Sequence, residues 1–483
     1  MLAGLICLLF TGLPLDHTEE IKFVQKMQTP SGGFITDLPV NGTVAEPTLR
    51  TTRTGIRALK LLGGEIPNRE ALIRFLNGCY HEPSGGFSAR PGLPPDPIST
   101  SVGLMIHKEL GLPYDDILPR ALQYMNEQTS DFEQIRMVAP CLDELRVTVS
   151  NTPKWASRIA DVRNSDGAYG SGPGKARTTA LHAMAAIRLG QDVHRDAVLS
   201  AMRQGQRADG GFGNDAEGGS DLESCYRVIR VFRRLDEFPD RTEDVMKFVA
   251  LCRNDDGGFG RTPDEPSSLH GTYYATIIRL WLRQTVTTFD ETGDNELPIG
   301  WKTASNRNLP DSEWKVVTAA DSASGKVLAQ GSGSGRKTTF NLCITNLRYG
   351  DAQLSVKVRP ISGTIDQGGG LVWRYRDSRN YYITRWNPLE QNLRLYKVVN
   401  GVRSQLDTAP VAGHTGEQHE LRVVCVGRDL RVYFDDTLML EAEDDEFKDM
   451  GAIGFWTKAD AVTQFDDLAS RYAEHFEIED LVP

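Results

Sequence analysis

Over the first 280 residues the apolar positions recur with helical spacing in short runs. A small-residue turn, usually ending Gly-Gly-aromatic, separates the two runs of each pair. The turns read Pro30-Ser31-Gly32-Gly33-Phe34, Pro83-Ser84-Gly85-Gly86-Phe87, Thr129-Ser130-Asp131-Phe132, Asp166-Gly167-Ala168-Tyr169, Asp209-Gly210-Gly211-Phe212-Gly213 and Asp256-Gly257-Gly258-Phe259-Gly260. From aromatic to aromatic the steps are 53, 45, 37, 43 and 47 residues, a period that marks stacked supersecondary units. In the last unit, Thr242 to Cys252 carries Val245, Met246, Phe248, Val249 and Cys252 on one stripe, which predicts an outer helix. Leu269 to Leu282 is apolar nearly all round, which predicts a buried inner one. The glycines supply the positive φ that a tight turn demands, and the aromatic after them plugs the gap between hairpins.

One hairpin cannot bury its apolar face alone, so the units must pack on each other. Six such hairpins close into a ring whose inner helices line a central cavity, an α/α toroid spanning residues 15–284. In front of it stands the apolar stretch Met1 to Pro14. It reads as an export signal, although it has no Lys or Arg before the apolar core and no small-x-small cleavage site, or as a hydrophobic strap. Export places the chain outside the cytoplasm.

Helical periodicity stops after Arg283, and residues 285–311 form a polar linker and the start of a second domain. Alternating runs follow: Leu354–Val358, Gly370–Tyr375, Tyr381–Trp386, Leu393–Val398, His419–Val424, Leu430–Phe434 and Ala452–Trp456, with turn signals such as Asn400-Gly401 and Asp435-Asp436 between them. They predict an antiparallel β-sandwich over residues 312–475, ahead of an acidic tail at 476–483. The fold class is therefore multidomain α + β, a toroid followed by an all-β sandwich.

A formal net charge of −11 argues against a nucleic-acid partner, since phosphate binding rests on clustered Lys and Arg. Seven scattered cysteines without a Cys-x-x-Cys pair do not make a disulfide framework.

The phrases Gly370-Leu371-Val372-Trp373-Arg374-Tyr375 and Gly454-Phe455-Trp456-Thr457-Lys458-Ala459-Asp460, leading to Phe465-Asp466-Asp467-Leu468, resemble a concanavalin-type jelly roll of the laminin-G kind. A retaining glycosidase on that fold needs two carboxylates aligned on one strand. Glu441 to Glu446 lacks apolar alternation and reads as a solvated loop, so the domain is expected to bind, with carbohydrate as the partner, rather than to cleave. Trp373, Tyr375, Tyr382 and Trp386 are read as core before they are read as sugar platforms.

The Gly-Gly-Phe turns and sixfold repetition resemble the prenyltransferase and squalene-cyclase repeat superfamily. Repeats five and six, from Asp209-Gly210-Gly211-Phe212 through Glu223-Ser224-Cys225-Tyr226 to Leu269-His270-Gly271-Thr272-Tyr273-Tyr274, are similar to protein prenyltransferase β subunits of the Rab geranylgeranyltransferase type. In that family an Asp-x-Cys-Tyr and a His-Thr at the starts of adjacent inner helices bind a catalytic zinc. The resemblance implies zinc on Cys225 and His270, with Glu223 at the Asp position and Asp221 as its substitute. Zinc would hold an acceptor thiol as thiolate for attack on an isoprenoid diphosphate, its chain in an apolar cavity. The family's diphosphate-binding Arg and Lys have no counterpart in the loop Gly213 to Ser220, which is acidic. Lys175, Arg177, Arg227 and Arg261, with Tyr226 at the family's tyrosine, are the candidates to replace them.

The family enzyme also works with a separate α subunit, which this chain does not contain. No Asp-x-Asp-Asp acid of cyclase type occurs before residue 284, and Gly78-Cys79-Tyr80-His81-Glu82 lacks the glutamine of a thioester. Two expectations result: a zinc-dependent prenyltransferase-like enzyme, or a non-catalytic exported scaffold whose sandwich recognises carbohydrate.

Overall fold

The structure, a computed structural model, describes residues 17–38, 45–216, 218–306, 313–319, 325–331 and 337–473; the apolar stretch Met1 to Pro14 and the acidic tail lie outside them. The chain divides into two units, Asp16–Leu282 and, from Arg283 onward, a second one. The first holds twelve helices among its described residues. The outer ones are α1 (Thr18–Lys26), α3 (Arg69–Cys79), α5 (Leu118–Gln128), α7 (Thr152–Ala160), α9 (Arg195–Gln204) and α11 (Thr242–Leu251). They alternate with the inner ones, α2 (Leu49–Leu62), α4 (Pro97–Leu110), α6 (Phe132–Leu145), α8 (Lys175–Arg188), α10 (Leu222–Arg234) and α12 (Leu269–Leu282). A short ladder, β1 (Tyr80–His81) with β2 (Gly86–Phe87), decorates the second turn.

Local chemistry sets the helix ends. Thr48, Asn68, Asp96, Asp131 and Asp221 each accept the backbone N–H of the residue three positions on, and Gly63 and Gly111 end α2 and α4 in the left-handed region. The first glycine of each glycine-bearing turn also has a positive φ, from 75° at Gly85 to 96° at Gly32. These glycines sit against the next outer helix. A Cβ on Gly32 would stand 2.1 Å from the Ala71 backbone of α3, and one on Gly210 2.4 Å from the Asp244 backbone of α11.

The same contacts close the ring. Gly257 of the last turn meets the Glu19 backbone of α1 as Gly32 meets α3. The first N–H of an inner helix donates to a carbonyl of the following repeat at 2.8 Å in Leu49→Ala89 and Leu222→Arg261, and Leu269→Thr36 repeats that bond from the last hairpin back to the first. α12 accordingly packs on both α10 and α2.

The second unit contains β3 (Gln284–Thr287), β4 (Lys302–Ser305), β5 (Trp314–Thr318), β6 (Lys326–Gln330), β7 (Phe340–Tyr349), β8 (Ala352–Ser362), β9 (Gly370–Asp377), β10 (Asn380–Asn387), β11 (Asn392–Val399), β12 (Val402–Pro410), β13 (His419–Val426), β14 (Asp429–Phe434), β15 (Thr437–Glu443), β16 (Gly451–Lys458) and β17 (Val462–Tyr472). Two antiparallel sheets result, one ordered β12-β11-β10-β9-β16-β7-β4 and the other β15-β14-β13-β8-β17-β6-β5, with β3 added to β17. Trp373, Tyr382 and Trp386 lie with Leu354, Val356, Val423 and Phe465 in the core between them, and Tyr375 is buried in a cluster with Tyr381, Ile383 and Trp456. These aromatics therefore offer no open platform. One expectation is corrected: Glu441 and Glu443 end β15 instead of lying in a loop, where they pair with Arg431 and Arg428 across the strand edge.

Candidate functional site

The inner helices enclose a hollow of about 120 Å³ lined by Arg50, Arg53, Thr54 and Arg57 of α2, Val102 and Met105 of α4, Arg136, Met137 and Pro140 of α6, Ala180, Leu181, Met184, Ala185 and Arg188 of α8, Tyr226, Arg227 and Arg230 of α10, and His270, Tyr273 and Tyr274 of α12. Seven of these residues are arginines and none is a carboxylate. Val102, Met105, Met137, Leu181, Met184 and the three tyrosines give the hollow the apolar and aromatic surface expected, and the guanidinium groups add a cationic character to it. Its space is comparable to an engineered cavity of roughly 150 Å³ that takes benzene.

The charges divide by depth along the helices. Deep on α2, Arg53 donates from Nε to Glu109 at 3.0 Å and from Nη2 to Glu144 at 3.3 Å, Arg57 stands 3.9 Å from Glu109, and Arg188 lies 3.5 Å from Asp143. Burial alone would raise the Glu144 carboxyl, but Arg53, Arg57, Arg188 and Lys108 hold it at about 2. This level is neutralised.

Nearer the helix N-termini, Arg50, Arg136 and Arg227 come from α2, α6 and α10, every second stave of the ring. Burial lowers the pKa of Arg136, and Arg227 and Arg50 push it the same way, so the three cations feel each other. Arg136 pairs with Glu133 of its own helix, and Arg50 has no carboxylate partner among the described residues. His270 is depressed to about 4 by burial and by Arg50 and Arg261, against Glu223, and is neutral at pH 7.

Of the residues singled out in the sequence, the structure gathers Arg177, Arg227 and Arg261 on Glu223. Arg227 gives Nε and Nη2 to Glu223 Oε1 at 3.1 and 2.5 Å, Arg177 Nη2 lies at 3.3 Å and Arg261 Nη2 at 4.0 Å. Lys175 is not part of the group and pairs with Asp166 at 2.5 Å. Tyr226 is in the wall, stacked on Tyr274 and Trp281 at 4.8 and 5.4 Å, and its hydroxyl accepts Arg230 Nη1 at 3.1 Å. The acidic loop is tied down elsewhere, its Gly218, Gly219 and Asp215 carbonyls all accepting from Arg207.

Cys225 has a different place. In repeat one the Phe34 N–H donates to Thr52 Oγ1 at 3.0 Å; Phe87 donates to Thr100 at 2.9 Å, Tyr169 to Thr179 at 3.2 Å and Phe259 to Thr272 at 3.1 Å. In repeat five the Phe212 N–H donates to Cys225 Sγ at 3.2 Å. Cys225 is the threonine of its repeat, fully buried, and absent from the lining of the hollow. Burial pushes its thiol far above the ordinary value, with Asp221, Cys252 and Asp209 adding to the shift, so a thiolate is disfavoured. Asp221 spends both oxygens on the N-cap of α10, accepting from Ser224 N at 2.8 Å and Ser224 Oγ at 2.7 Å.

Glu223, Asp221, Cys225 and His270 are therefore not joined into one ligand set: Cys225 faces the turn of repeat five and Asp221 caps α10, whereas Glu223 and His270 belong to the arginine group. Among the described residues no cluster of three or more His, Cys, Asp or Glu has the arrangement to hold a metal. The donors do not fit the zinc site that the resemblance implies. A direct check is substitution of the thiol. Cys225→Thr is expected to leave stability within about 1 kcal/mol, because it restores the acceptor of four other repeats, whereas Cys225→Ala leaves the Phe212 N–H unpaired and is expected to cost about 1–3 kcal/mol in urea unfolding.

The model of the prenyltransferase alpha-alpha toroid domain matches residues 55–118 and 118–297, about half of the chain. The chain belongs to the prenyltransferase toroid family. No curated protein matches it. Solved structures similar to its C-terminal region include the carbohydrate-binding module CBM66 from Bacillus subtilis, 20% identical, covering 36% of this chain and 95% of that one at a TM-score of 0.29. The GH43 protein BlXynB from Bacillus licheniformis is 15% identical, covering 39% of each chain at 0.30. Domain 4 of AbnA, a GH43 extracellular arabinanase from Geobacillus stearothermophilus, seen with arabinotriose, is 13% identical, covering 38% and 88% at 0.27. At such TM-scores none of them fixes what this sandwich binds.

In this member of the toroid family the arginines of the hollow form a signal that reading by turns passes over. Arg50, Arg53 and Arg57 are spaced three and four apart on α2, and Arg227 and Arg230 three apart on α10, so each set falls on one helical stripe. On α2 and α10 these stripes face the hollow.

Proposed function

We propose that the toroid is a binding module for a compact anion, which it receives among Arg50, Arg136 and Arg227, and that the chain acts by binding rather than by thiol alkylation. The observation that carries this reading is the lining itself: seven guanidinium groups reach the hollow while the carboxylates that pair with Arg53, Arg57, Arg136, Arg188 and Arg227 stay outside its lining, and Arg50 has no carboxylate partner among the described residues. Desolvated guanidinium groups make charge-assisted bonds roughly twice as strong as neutral ones and suit carboxylate and phosphate geometry. Tyr226, Tyr273 and Tyr274 add a surface for a flat or apolar appendage of the ligand, which keeps a lipid-borne anion such as an isoprenoid diphosphate within the same reading. A neutral His270 can donate or accept one further bond. No step through zinc is part of it; what supports leaving it out is that Glu223, Asp221, Cys225 and His270 do not form one cluster among the described residues.

Calorimetric titration of the full chain with inorganic diphosphate, an isoprenyl diphosphate and the matching isoprenyl alcohol separates the cases. Both diphosphates are expected to bind, with affinity lost by at least about 100-fold in the double variant Arg50→Gln, Arg136→Gln. Binding of the alcohol without the anion would contradict the reading and favour an apolar site.

A further inference from the structure

Glu223 stands where guanidinium groups of three successive hairpins meet, Arg177 of α8, Arg227 of α10 and Arg261 of the turn after α11. Its side chain is 21% exposed, and although burial opposes ionisation, Arg227, Arg177 and Arg261 keep the carboxyl at about 2. Among the three cations Arg227 has a double position: it lines the hollow, and it spends Nε and Nη2 on Glu223. Arg177 leaves its Nε buried without a partner, so the cluster offers more donors than its own carboxylate takes up.

We propose that Glu223 is a resident counter-ion that sets which anions the hollow accepts. This rests on the reading of the hollow as an anion site and names the class, multiply charged oxyanions. An incoming anion must draw Arg227 away from Glu223, a fixed loss whatever the ligand. Against it stands attraction to Arg50, Arg136 and Arg227, which grows in proportion to ligand charge. A monoanion falls short of the threshold and a dianion clears it. The carboxylate at the position that the family resemblance gives to a metal ligand thus acts on guanidinium groups, tuning their availability instead of holding an ion.

The test uses two probes of one and two charges, nitrate and sulfate, titrated into the full chain at constant ionic strength. Wild type is expected to bind sulfate and to bind nitrate far more weakly. Glu223→Gln removes one unit of repulsion and weakens the hold on Arg227. Because the fixed loss is removed for either ligand, sulfate and nitrate affinities are both expected to rise by at least about tenfold, and nitrate binding to become readily measurable. Arg261→Gln, which leaves the lining intact, frees Glu223 to compete and is expected to lower sulfate affinity several-fold. It keeps the inference testable should the Glu223 variant fail to fold.

Sulfate binding that is unchanged or weaker in folded Glu223→Gln, or unchanged in Arg261→Gln, would overturn the counter-ion role while leaving the anion site standing. Failure of wild type and both variants to bind sulfate would overturn the site and this inference together.

Discussion

Glu20→Ala is expected to destabilise the toroid by about 3–5 kcal/mol, the usual effect of removing one partner from a buried ionic group. Glu20 on α1 is 1% exposed, yet it is the point at which the last hairpin meets the first. Its carboxylate accepts from Arg279 of α12 at 3.0 Å, from Arg253 after α11 at 3.2 Å, and lies 2.6 Å from His17 Nδ1. Burial works against its ionisation; the His17 bond and Arg279 prevail and lower its pKa. Without it, two cations are left at the seam with no anion between them. Thermal unfolding followed at 222 nm should show a midpoint lowered by about 10 °C or more, since 1 kcal/mol moves a domain of this size by roughly 2–4 °C. A change of less than about 1 kcal/mol would mean that the backbone bond from Leu269 to Thr36 and the packing of α12 on α2 close the ring unaided.

Acid is expected to have an effect of similar size. Glu144 and Glu223 have an ordinary value of 4.5 and stand at about 2 in the folded chain, each about 21% exposed. A carboxyl depressed on folding contributes stability that is complete above the unfolded value and disappears as pH falls through the folded one. Each of the two therefore contributes about 3 kcal/mol at neutral pH, lost between pH 4.5 and 2. Urea midpoints of the full chain should fall steeply across that window. Glu144→Gln should flatten the fall while lowering stability at pH 7, where Arg53, Arg57 and Arg188 lose their shared anion. A pH-independent midpoint between 4.5 and 2 would contradict the ion-pair floor described for the hollow.

Much of the architecture is legible in the sequence because its signals are local and repeated. A glycine with positive φ two residues before an aromatic announces five of the six turns, and the inner helix of the last repeat, Leu269–Leu282, can be read from its apolar content alone. The third turn, Thr129 to Phe132, has no glycine, but Asp131 as the N-cap of α6 marks the same boundary. In the sandwich, β12 escapes pattern reading because it lies at the sheet edge with mixed burial and so carries no apolar alternation. β17 is interrupted by a register shift between Asp466 and Ala469.

The site is less legible, for a reason that Cys225 makes plain. The spacing from Cys225 to His270 is one repeat whether the thiol faces the hollow or the turn behind it, and only the hydrogen bond from Phe212 decides. Aligning the repeats on their aromatics would have put Cys225 in register with Thr100 and Thr272, each thirteen residues past its aromatic, and so suggested an acceptor before a ligand. The charge of the hollow is hidden by the chain's overall net charge of −11, which says nothing of where seven arginines of the inner helices converge.

Diffraction from a crystal of the full chain soaked in selenate, with data collected at the selenium edge, would locate an oxyanion directly. An anomalous peak inside the ring, within hydrogen-bond distance of Arg50, Arg136 and Arg227, is the expected result. Selenium absent from the hollow, with a metal ion found instead on Cys225 and His270, would contradict it.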